Sequence, residues 1–126
     1  EVLEVSLPGN QISLQVTGAQ LDCRPEFRDG ELAGLHLTSR VNAQLRQWEQ
    51  APTAREREEI SQQAQRQLEG KLRAALEQMR LWKAECVGIG SRVAIAAPWH
   101  WDRLEPRWQE VFAAANYDLN VKVSLG

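Results

Sequence analysis

The hydrophobic period of this chain changes twice, and that change limits the available folds more than any other feature. Near the N-terminus apolar residues recur every second position: Leu3, Val5 and Leu7, then Ile12, Leu14 and Val16 after a Pro8-Gly9-Asn10 turn. Side chains of a strand point alternately to opposite faces, so this spacing predicts strands. The apolar parity switches at Gly18-Ala19 and continues as Ala19, Leu21 and Cys23, which suggests a β-bulge or a bend. Asp29-Gly30 is a hairpin signal, because both residues accept positive φ. In the third strand Leu35, Leu37, Val41, Ala43 and Leu45 face one way, while His36, Thr38, Arg40, Asn42 and Arg46 face the other. One covered face and one wet face is antiparallel behaviour.

The period then lengthens to three or four. Thr53 and Glu56 form a capping box after Pro52. Ile60, Ala64, Leu68, Leu72, Ala75, Leu76, Met79 and Trp82 make an apolar stripe at helical spacing. From Thr53 to about Ala84 the helix would rise ~48 Å at about 1.5 Å per residue. Gly88 and Gly90 punctuate it. A second short helix is expected over Ser91–Ala97, ending at Pro98. A third is expected from about Asp102, with Leu104, Trp108, Val111 and Phe112 inward and Pro106 in its first turn. Period two returns in Tyr117–Leu125. The expected fold is α+β: an antiparallel sheet of about four strands in the order β-β-β-α-α-α-β, with one long and two short helices on one face.

At 126 residues the chain fits one domain, residues 1–126, able to bury a core without staples. Residues 1–50 carry seven acids against four bases, residues 51–90 six against seven, and residues 91–126 four against four. No segment offers the concentrated basic field that a nucleic-acid partner requires. No apolar run approaches the ~20 residues of a membrane-spanning helix. A first residue, Glu1, inside a strand-like segment suggests a soluble piece of a longer protein. Cys23 and Cys86 are expected to be unpaired, largely buried thiols, although a disulfide between them is compatible with the sequence.

The chemistry-bearing residues do not form a catalytic set. Gly88-Ile89-Gly90 follows a helix and lacks the ending of a phosphate loop. His100 beside Asp102 has no nucleophile nominated for it, and His36 has no second metal ligand at a useful spacing. The alternating charges from Arg55 to Glu59 read as a solvated first helical turn. No cofactor, metal or catalytic residue is therefore expected. Five tryptophans against one tyrosine and two phenylalanines are the compositional anomaly. Trp82 and Trp108 fall on expected inner helix faces. Trp99 and Trp101 cannot both point the same way, so one of them is expected at the surface. Together with Val93 and Ile95 they form a candidate partner-binding patch.

The run from Glu85 to Leu125 resembles the C-terminal domain of the Ger(x)C spore germination proteins, the GerAC/GerBC-like lipoproteins. The family pattern is an acid, two apolar residues, Gly, an aromatic, Gly, a helix ending in Pro, then Trp, a second Trp, Phe and a strand. It falls without a gap on Glu85, Gly88, Gly90, Pro98, Trp101, Trp108, Phe112 and Asn116–Leu125. Family members usually have Asp where this chain has Glu85, and aromatics where it has Val87 and Ile89. The helix before the proline is commonly basic but here reads Ala94-Ile95-Ala96-Ala97, so a contact made there would be more apolar.

The resemblance implies a non-enzymatic domain at the C-terminus of a longer lipoprotein, the C subunit of a nutrient germinant receptor. It implies assembly with the integral-membrane A and B subunits at the extracytoplasmic face of the spore inner membrane. Membrane attachment would come only from an N-terminal lipid anchor outside this chain, which neither Cys23 nor Cys86 matches. The rival reading is a carbohydrate- or peptidoglycan-binding module with exposed tryptophan platforms.

Overall fold

Alternation in the first segment does form a hairpin. In the computed structural model, which describes residues 2–8, 10–46 and 52–126, β1 (Val2–Leu7) pairs antiparallel with β2 (Asn10–Arg28), setting Leu3 opposite Leu14 and Val5 opposite Ile12. Gly9 of the expected turn and Trp48 lie outside the described residues. β2 reaches β3 (Glu31–Leu45) through Asp29 and Gly30, with φ of 54° and 79°. Successive positive φ values match the twist of the flanking strands, which is why Asp-Gly serves here. The five apolar residues expected on the covered face of β3, Leu35, Leu37, Val41, Ala43 and Leu45, are all buried.

The sheet order is β1-β2-β3-β4, with β4 at Asn116–Leu125. The fourth strand departs from the antiparallel expectation. Gly34 lies beside Asn116 and His36 beside Asp118, so the two strands advance together and β4 is parallel to β3. The physical reason is the connection between them: it holds every helix of the described residues, and parallel neighbours require such a crossover. The sheet is mixed.

α1 spans Ala54–Trp82. Its capping box is formed: Glu56 N–H donates to Thr53 Oγ1 (3.1 Å), and Thr53 N–H donates to Glu56 Oε1 (3.0 Å). It stops at Lys83, close to the expected end near Ala84 and ahead of the two glycines. Lys83 has φ 51°, its N–H donates to Arg80 O (3.2 Å), and Ala84 N–H donates to Met79 O (2.9 Å). That pair of bonds is a Schellman stop, with Lys in the left-handed position that glycine usually takes. α2 (Ile89–Ala96), α3 (Pro98–Leu104) and α4 (Trp108–Ala114) follow. Three short helices thus replace the expected two. Pro98 opens α3, where its missing N–H costs nothing, and Pro106 falls in the 3-10 turn Glu105–Arg107 that separates α3 from α4.

Two compact units share these elements: Glu1–Leu21, Ser39–Gly70 and Val121–Gly126 form one, Asp22–Thr38 and Lys71–Asn120 the other. In the first, Ile60 and Ala64 of α1 join Leu3, Val5, Ile12, Leu14, Ala43 and Leu45 in one apolar cluster. Polar side chains of α1 flank that cluster. Gln63 exchanges two bonds with Ser6, donating to its O (2.7 Å) and accepting from its N–H (3.3 Å), and Gln67 donates to Glu4 O (2.7 Å). On the other side Gln65 accepts from Val123 N–H (3.1 Å), while Ser61 and Arg57 donate to Val123 O and Leu125 O. β1 and β4 are the outer strands, so helix side chains answer backbone groups that a further strand would otherwise take. The second unit buries Leu35, Leu37, Ile89, Val93, Leu104 and Phe112, and holds Glu85, Gly88, Gly90, Pro98, Trp101, Trp108 and Phe112 of the family pattern.

Candidate functional site

Glu85 organises the loop between α1 and α2. Its Oε2 accepts from Val87 N–H (2.7 Å) and Gly88 N–H (2.8 Å), and its Oε1 accepts from Gly90 N–H (2.8 Å) and the Trp108 indole Nε1–H (3.2 Å). Its own backbone is tied to Gln109: Glu85 N–H donates to Oε1 (2.5 Å) and Gln109 Nε2 donates to Glu85 O (3.4 Å). The loop curls around its own carboxylate and places it at the start of α2, where free N–H groups and the helix dipole favour a negative charge. Burial pushes this carboxyl up, but the donors, led by Gly90 N–H and the Trp108 indole, outweigh burial and hold it below its ordinary range. Four donors fill the roughly four lone-pair sites of a carboxylate. None remains for a metal or for a substrate proton.

The two glycines follow from this curl. Gly88 sits at φ 85°, a left-handed conformation that only glycine adopts freely. Gly90 is needed for space: a Cβ there would lie 2.8 Å from Trp108 Nε1 and 3.0 Å from Trp101 Cη2. The indoles pack directly on backbone. Trp101 meets Trp108 edge-on at 5.3 Å between centroids, and Trp108 meets Phe112 at 5.9 Å. Glu85, Gly90, Trp101, Trp108 and Phe112, spread over 28 residues of sequence, thus form one packed cluster. Its contacts are those of a packed support.

The candidate partner patch is divided by the same packing. Trp99 is 69% exposed and Ile95 82%, at the corner where α2 gives way to α3. Trp101 is half-buried in the cluster. Val93 is wholly buried, because α2 turns that side inward, and it is withdrawn from the patch. Trp82 is also corrected: it is 67% exposed, beside Leu81 at 76%. The buried stripe of α1 ends at Met79, one step before the last turn that leads into the Schellman stop. Two adjacent apolar residues are about 100° apart on a helix and cannot both face a narrow core, so the Leu81-Trp82 pair itself is the signal in the sequence. Val87, 42% exposed, is a further apolar surface position that the sequence pattern does not single out.

Other residues with possible chemistry are occupied. The His100 ring stacks on Phe27, with centroids 4.0 Å apart and planes 12° from parallel, and Asp102 is exposed. His36 lies between Asp118 (2.5 Å from Nδ1) and Glu26 (3.2 Å from Nε2); the hydrogen bond to Asp118, then that to Glu26, raises its pKa. Both cysteines are free. Cys23 is half-buried, and burial pushes its thiol up to about 11, which makes it a poor nucleophile. Cys86 is exposed, not buried as expected, because it lies in the loop past α1 with its Sγ 3.6 Å from Met79 Sδ.

Three comparisons bear on this geometry. A family model described as spore germination B3/GerAC like, C-terminal, matches residues 1–126. No curated protein matches the chain in sequence. Among solved structures, the crystal structure of the GerBC protein is similar with a TM-score of 0.79 and 13% identity, over 99% of this chain and 40% of that chain. At such identity the likeness concerns the fold, and this chain spans 40% of the GerBC chain's length.

Proposed function

Since the chain belongs to the spore germination B3/GerAC-like, C-terminal family, we propose that it is the C-terminal domain of a germinant receptor C subunit and acts without catalysis. The family match over the whole chain is the observation that carries this reading. In it, the domain contacts the integral-membrane A and B subunits at the extracytoplasmic face of the spore inner membrane, and a lipid anchor near the precursor's N-terminus tethers it there. Ile95 and Trp99 are the contact residues. They are large, apolar and exposed, and they stand on helices fixed by the Glu85–Trp108 cluster. A tryptophan such as Trp99 is the residue type most enriched among the few that carry most of the binding energy in protein interfaces.

The test is a full-length subunit with Ile95→Ser and Trp99→Ala. Copurification with the A and B subunits should fall about tenfold or more, the loss expected of a hot-spot tryptophan. The stability of the 126-residue chain should stay within about 0.5 kcal/mol, as for other surface changes. Unaltered assembly of the doubly substituted subunit counts against this surface.

One observation favours the carbohydrate reading as a second choice. A cleft of about 480 Å³ beside Trp101 is lined by Glu105, Arg107 and Gln109, an indole with polar groups around it, as sugar sites require. Tryptophan fluorescence during titration with peptidoglycan fragments decides it: a flat response removes this reading, and a saturating quench lost in Trp101→Ala supports it.

A further inference from the structure

A second feature, on the wet side of the sheet in the first unit, has a different chemistry. The hydrogen bond from Gly126 N–H to Ala43 O (2.9 Å) sets the local register of β4 on β3. With parallel strands, that register places Lys122 beside Arg40 and Ser124 beside Asn42. On the other side of β3, Gly18 of β2 faces Asn42: a Cβ on Gly18 would lie 3.8 Å from Asn42 Nδ2. With no side chain at Gly18, a dish of about 490 Å³ opens between Gln20, Arg40, Asn42, Lys122 and Ser124.

The composition of its rim is one-sided. It offers an ammonium, a guanidinium, two amides and a hydroxyl, and no carboxylate lines it among the described residues. The chain as a whole has a formal net charge of −2, so the dish is a local exception. Like charges side by side on neighbouring strands cost stability. Arg40 and Gln20 also engage other groups of the protein; Lys122 is in none of the ion pairs among the described residues. The volume falls within the usual range for small-molecule sites. Guanidinium and ammonium donors suit carboxylate and phosphate oxygens, and the amides and hydroxyl suit the polar remainder of such a molecule.

We propose that the dish around Gly18, Arg40, Asn42, Lys122 and Ser124 binds a small organic anion that carries carboxylate or phosphate groups. Lys122 supplies the charge that captures it, Arg40 a second contact, and the amides and hydroxyl set its orientation. This site is separate from the Ile95–Trp99 surface, and it stands or falls independently of the receptor assembly described above.

The experiment is ¹⁵N–¹H correlation NMR of the 126-residue chain, titrated with citrate and with inorganic phosphate at constant ionic strength set by potassium chloride. The expected result is saturable movement of the Gly18, Ala19 and Lys122 amide signals, by citrate, by phosphate or by both. Which anion saturates identifies the preferred group. Lys122→Glu should weaken binding by about tenfold or more, the loss of one charge-assisted hydrogen bond, whereas Lys122→Arg should retain it. Gly18→Val keeps every charge and fills the dish, and it too should abolish saturation. The proposal is overturned by linear shifts spread over basic residues such as Lys83 and Arg103, by silence with both anions, or by equal binding in Lys122→Glu.

Discussion

Glu85 and Gly90 show how single residues hold the candidate site together. Because the folded-state pKa of Glu85 is depressed, its stabilisation is present above the unfolded value, 4.5, and is lost as pH falls through the lower folded value. Glu85→Gln should therefore flatten the acid limb of a stability-against-pH curve measured by chemical denaturation. His36 has the opposite sign. Its raised pKa means that the stabilisation is fully present below 6.5 and fades as pH rises through the folded value; His36→Gln should remove that fade, as read from melting temperatures across neutral pH. Gly90→Ala forces a methyl group into the space of two indoles and should cost roughly 1–3 kcal/mol, an overpacking penalty, in the same denaturation assay.

At the level of elements, α1 shows what could be read beforehand and what could not. Its start was legible, because a capping box is a local device written in Thr53 and Glu56. Its end near Ala84 was legible to within two residues, but the device that makes it was not: Lys83 in a left-handed stop has no sequence signature, and Gly88 and Gly90 serve the curl around Glu85. The buried faces of β1 and β3 followed from period two, yet period two is the same in parallel and antiparallel strands, so the direction of β4 was hidden. The family pattern located Glu85, Trp101 and Trp108, but nothing in their spacing announced a carboxylate accepting an indole N–H. The dish at Gly18 was equally invisible, since it needs the register of three strands. Gly70 lies exposed within α1, and a Cβ added there would meet no atom within 4 Å. Gly70→Ala should raise stability by about 1 kcal/mol through helix propensity alone, measurable by urea denaturation.

For the whole molecule, the relevant fact is that β2, β3, β4 and α1 each contribute residues to both compact units. Neither unit owns a complete set of elements, so unfolding is expected to be a single calorimetric transition with equal calorimetric and van't Hoff enthalpies; two resolved transitions would contradict that. The glutamine contacts of α1 carry a consequence for such a molecule under stress. Gln63 and Gln67 occupy β1 while Gln65, Ser61 and Arg57 occupy β4, so one helix shields both flanks at once. Lifting its first half would bare both borders in the same event, and a copy in that state could recruit neighbours from either side. Fibril-like self-association should therefore track detachment of α1 and not complete denaturation, and fastening that helix more tightly is the change that would slow it most.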